Sequence, residues 1–85
     1  MRLRPNFVDA LDSRGLVNLK SGQTKNAIAD FDAALKINPR LTSSLYGRGL
    51  AKKRNGSVSE GDLDIANAKA MDPNIVKEFA DYGVQ

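Results

Sequence analysis

The side chains of this sequence best equipped for chemistry are its guanidiniums and carboxylates, and two of each recur at one spacing. Arg14 and Arg48 stand 34 residues apart, and so do Asp30 and Asp64. A guanidinium and a carboxylate make a planar two-bond fork. Each Arg therefore either pairs with its Asp inside the fold or reaches a ligand, and both readings are open at this point. Glu60, Asp62 and Asp64 crowd three carboxylates together. Residues two apart on a helix do not share a face, so they read as surface and ion-pair residues rather than an acid–base site. Gly47-Arg48-Gly49 begins like a dinucleotide-binding fingerprint, but Lys52 stands where the third glycine belongs and no strand pattern precedes it. Lys52, Lys53 and Arg54 read as the solvated face of a helix rather than a targeting patch. Asn55-Gly56-Ser57 fits a glycosylation acceptor, yet Gly56 is accounted for by a turn.

Other chemistry is excluded by what is missing. The chain has no Cys, His or Trp. Without Cys there is no disulfide framework and no thiolate metal site. Without His the commonest general base near neutral pH and the commonest transition-metal ligand are gone. No calcium-binding loop pattern is present. The expectation is no catalytic residue, no metal and no cofactor: not an enzyme. A net charge of +3 with one basic cluster and no interleaved aromatics argues against a nucleic-acid binder. No apolar run approaches the roughly 18 residues of a membrane span. The basic start is followed by polar residues rather than an apolar stretch, so no signal peptide is read. That slightly favours the cytoplasm, with the periplasm or secretion left open for a chain cut from a longer one.

The elements that must position these side chains announce themselves through proline. Pro5, Pro39 and Pro73 are 34 residues apart both times. Overlaying residues 8–41 on 42–75 matches Leu11/Leu45, Arg14/Arg48, Gly15/Gly49, Leu16/Leu50, Gly22/Gly56, Asp30/Asp64, Ala34/Ala68 and Pro39/Pro73. Unrelated segments of that length would share about two. A fixed period of this size signals stacked supersecondary units. Each unit reads as two helices. Leu11, Gly15, Val17 and Leu19 lie in the first, which stops at Ser21-Gly22. Ala27, Ile28, Phe31, Ala34, Leu35 and Ile37 mark the buried face of the second, which ends at Asn38-Pro39. The expected helices run over about 6–21, 24–37, 41–55, 58–71 and 73–82, the last stopped by Gly83.

The chain resembles the tetratricopeptide repeat family, whose 34-residue unit is a helix-turn-helix. Counted from Val8, the residues that carry the likeness are Leu11, Gly15, Gly22, Ala27, Phe31, Ala34 and Pro39. In the second unit they are Leu45, Gly49, Gly56, Gly61, Ile65, Ala68 and Pro73. Asn18 and Lys52 depart from the family, which usually has Tyr there, and Arg14 and Arg48 stand where Leu is commoner. The resemblance implies one all-α domain over 1–85: antiparallel hairpins stacked as a short right-handed α-solenoid of about five helices. Repeat 1 would cover about 8–41 and repeat 2 about 42–75, with a capping or truncated third-repeat helix over about 73–82.

By position, the resemblance lines a concave groove with Asp9, Asp12, Leu16, Lys20, Tyr46, Leu50, Lys53, Arg54 and Lys77. An apolar centre, one aromatic and a cluster of cations suit a protein or peptide partner with acidic groups. Lys53 and Arg54 read equally well as a solvated helix end, where cations favour the dipole. The chaperone-carboxylate subclass is argued down, because Asp12, Leu16, Gly47 and Asp81 fail its pattern and only Lys77 fits. The competing expectation is a self-associating module, as a homo-oligomer or hairpin-exchanged dimer, or a piece of a longer array, since such stacks need about three repeats. Leu3, Phe7, Val8, Phe79, Tyr82 and Val84 are the apolar end groups that would carry it.

Overall fold

The structure, a computed structural model, describes residues 7–81, and among them every regular element is a helix and none is a strand. α1 spans Phe7–Lys20, α2 Thr24–Ile37, α3 Thr42–Arg54, α4 Val58–Met71 and α5 Ile75–Asp81. α1 packs chiefly on α2 and α3 chiefly on α4, α2 joins the two pairs through α3, and α5 touches α3 and α4. The paired helices run antiparallel. Arg48 meets Asp64, whereas Lys52, one turn later in α3, meets Glu60 one turn earlier in α4.

Both hairpin turns are built the same way. Gly22 and Gly56 take φ of 83° and 100°, left-handed backbone that costs a residue with a Cβ about 1–2 kcal/mol. Around them the Gln23 N–H donates to the Asn18 carbonyl at 2.8 Å and the Gly22 N–H to Leu19 at 3.1 Å. The Ser57 N–H donates to Lys52 at 2.8 Å and the Gly56 N–H to Lys53 at 3.2 Å. This crossed pair of bonds satisfies carbonyls that a helix end leaves without partners.

The proline junctions also match. The Asn38 carboxamide oxygen accepts the Arg40 N–H at 3.1 Å, and an Asp72 carboxylate oxygen accepts the Asn74 N–H at 3.0 Å. The backbone carbonyls of Asn38 and Asp72 take the N–H groups of Leu41 and Ile75. This turn corrects one sequence expectation: Pro73 and Asn74 lie in it, so α5 starts at Ile75 rather than at 73. The expected end of α5 at 82 and the Gly83 stop lie outside the described residues, as do Leu3, Tyr82 and Val84.

Small residues set the spacing within hairpins. A Cβ on Gly49 would stand 2.7 Å from the Gly61 carbonyl oxygen, so α3 and α4 meet backbone to backbone. Phe31 occupies the space between hairpins: its fully buried ring lies against Gly15 of α1 and against Gly47 of α3. Ala27, Ala34, Ala51 and Ala68 are also fully buried, and Ile65 is half-buried against the core. Ile75 and Phe79 of α5 complete the core, the Phe79 ring meeting Tyr46 edge-on at 4.7 Å. Among the described residues no helix is long and apolar enough to cross a membrane.

Candidate functional site

The charged residues that recur in the sequence meet inside the hairpins. In the first, Arg14 Nε and Nη2 donate to Asp30 Oδ1 at 3.0 and 2.7 Å, and Asn18 Nδ2 donates to the other carboxylate oxygen at 2.8 Å. In the second, Arg48 grips Asp64 through Nε at 2.9 Å and Nη2 at 3.0 Å, and Lys52 Nζ lies 3.3 Å from the same carboxylate. Asp30 and Asp64 are buried, so each carboxylate depends on these cations and amides. The hydrogen bond to Asp30, then its charge, raises the affinity of the Arg14 guanidinium for its proton. The hydrogen bond to Asp64 does the same for Arg48, against the opposing effect of burial.

Asn18 and Lys52 were missed as partners of these carboxylates, though a signal existed. Each lies one helical turn after its Arg, at equivalent repeat positions. Asp32 was missed as well: its carboxylate takes Arg48 Nη1 at 2.8 Å. No repetition could have shown it, because Ala66 is the equivalent residue in the second unit.

Four of the nine residues expected to line a groove have partners within the fold. Asp12 accepts the Ser43 hydroxyl at 2.9 Å and the Ser44 hydroxyl at 2.6 Å, tying α1 to the first turn of α3. An anion at that helix start also complements the dipole. Arg54 Nη1 donates to the Leu19 carbonyl at 3.1 Å, close to the C-terminus of α1. Lys53 reaches Asp62 at 3.0 Å, across the second hairpin. Tyr46 is buried beneath Phe79. Lys53 and Arg54 stay exposed despite these partners; of the other five, Leu16 and Leu50 are half-buried against the core, and Asp9, Lys20 and Lys77 are exposed.

An open depression of about 400 Å³ lies elsewhere, at the turns, lined by Gly22, Gln23, Thr24, Lys25, Asn26 and Asn55. Among the described residues no three carboxylates gather as a metal ion would require. The chain matches no protein-family model, no curated protein and no solved structure.

Proposed function

We propose that the chain is a tetratricopeptide-like interaction module, its hairpins stacked as a short right-handed α-solenoid, and that α1, α3 and α5 together present a surface for a peptide or partner helix. The observation that carries this reading is the recurrence of one set of contacts a repeat apart. The Arg–Asp fork, the left-handed glycine turn and the Asx–Pro junction each occur twice at the same spacing. A chain that uses its most chemically capable side chains for such scaffolding works through the surface left over.

That surface offers two leucines and two lysines. Leu16 and Leu50 occupy equivalent positions on α1 and α3, with Lys20 and Lys77 as exposed cations. Covering what remains exposed of a half-buried leucine contributes about 1 kcal/mol, part of the roughly 1.5–3 kcal/mol of full burial, whereas an exposed ion pair contributes about 0–1 kcal/mol. Affinity therefore rests on an apolar side chain of the ligand, and the lysines select a neighbouring carboxylate.

Selection of a displayed random-peptide library on the intact chain tests the reading. It predicts clones with apolar residues flanked by Asp or Glu. Their binding is lost with Leu50→Glu, read on the chain that remains folded because Leu50 is half-buried, and reduced a few-fold with Lys77→Ala, which leaves the unfolding midpoint close to that of the unmodified chain. Failure to enrich any sequence, or enrichment indifferent to Leu50→Glu, sinks it.

A further inference from the structure

Although the hairpins share their internal contacts, their outer faces do not meet the same surroundings. On α3, Ser44, Arg48 and Ala51 form one stripe at the i, i+4, i+7 spacing of a single helix face. The first hairpin covers it. Ser44 and Ala51 are fully buried, and Arg48, its side chain 22% exposed, sends Nη1 to Asp32 of α2. The equivalent stripe on α1 is Ala10, Arg14 and Val17. Here Ala10 is exposed, the Arg14 side chain is 67% exposed and Val17 is 61% exposed. Arg14 binds Asp30 through Nε and Nη2, and Nη1 makes no bond among the described residues. Roughly a quarter-turn around α1 separates this stripe from Leu16 and Lys20.

We infer that this stripe docks an amphipathic helix of a partner polypeptide whose chemistry α2 already displays against α3. Such a helix carries apolar residues at the places of Ile28 and Leu35, to cover Val17 and Ala10, and a small residue at the place of Phe31, because Ser13 stands on α1 where the Phe31 ring meets Gly47 on α3. It also carries an acidic residue at the place of Asp32, to take Arg14 Nη1. A second copy of this chain does not fit. Its own α2 is engaged with α3. Its α4 presents Asp62, Ala66 and Lys69 where α2 has Ile28, Asp32 and Leu35, which sets charges against Val17 and leaves no acid for Arg14.

The probe is a synthetic peptide with the sequence of residues 22–38 carrying Phe31→Ala, titrated into the isotopically labelled intact chain and followed by amide chemical shifts. Shifts concentrated at Ala10, Arg14 and Val17 are expected. Asp32→Asn in the peptide should weaken binding about tenfold, through loss of a charge-assisted bond. Val17→Lys in the chain should abolish the shifts, while Lys20→Ala with Lys77→Ala, both at exposed residues, leaves them intact, so this inference and the proposed binding surface fail separately. Absence of shifts with millimolar peptide overturns the inference, as does an affinity indifferent to Asp32→Asn. Shifts on α3, or a homodimer that Val17→Lys dissolves, would put a different occupant in place and overturn it too.

Discussion

Asp30 and Asp64 are the residues on which each hairpin turns, because a buried carboxylate without its cation is costly. Arg48→Met strands Asp64 with Lys52 alone, and a loss of about 2–3 kcal/mol in urea unfolding is expected, below the fully buried case because Arg48 keeps some solvent. Arg48→Met combined with Asp64→Leu should recover much of that loss. A double variant no more stable than the single one would contradict the ion-pair reading. Arg14→Met should cost less, since the exposed Arg14 is screened by water and Asn18 remains on Asp30. The pH dependence follows from the raised proton affinity of the guanidiniums. A group held more tightly protonated in the fold stabilises it at all pH values below its unfolded pKa, and loses that effect only as pH rises through the folded one. For arginine that window is strongly alkaline, so the stability difference between the chain and Arg48→Met should stay flat from about pH 7 to 10. The Arg–Asp forks were one of two readings the sequence offered, because both partners repeat, and the structure shows the pairing. The bonds from Asp12 to Ser43 and Ser44, and from Arg54 to Leu19, could not be read there, because they join one hairpin to the other and no second copy of that junction exists here to compare.

Among the elements, the hairpin helices take their bounds from local chemistry and α5 takes its stability from packing. Gly22 and Gly56 stop α1 and α3 through backbone that only glycine enters cheaply, which is why both ends were legible from the sequence. The start of α5 was not, because reading proline as its first residue ignored the side chain of Asp72, which holds Pro73 and Asn74 in a turn. A helix of seven residues does not persist alone in water. Its anchors are Ile75 and Phe79, both buried, with Phe79 against Tyr46. Phe79→Ala should destabilise by about 3–5 kcal/mol and expose Tyr46. Hydrogen exchange should then show α5 losing protection first while α1 and α2 keep theirs, and uniform loss across all five helices would argue against α5 as a separate cover. In the second hairpin, Gly49→Ala forces a methyl towards the Gly61 carbonyl, and a cost of about 1–3 kcal/mol is expected from thermal unfolding.

For the whole molecule, the two hairpins agree inside and differ outside, and the differences indicate what each face meets. Where α2 turns Ile28 and Leu35 towards the core, α4 has the charged pair Asp62 and Lys69. Head-to-tail stacking of copies is therefore disfavoured, and sizing with light scattering should give the 9.2 kDa monomer mass over a wide concentration range. A mass that climbs with concentration and falls back on Val17→Lys would contradict this. The period of 34 made the all-helical architecture legible. The surface chemistry was less so: four expected groove residues turn out to have partners within the fold, and Leu16, Lys20, Leu50 and Lys77 carry the proposal. The most direct test maps a library-selected peptide onto the intact chain by amide chemical shifts. Shifts clustering at Leu16, Lys20, Leu50 and Lys77 are the predicted result. Shifts confined to the depression beside Gly22 and Asn55, or spread without a focus, would contradict it.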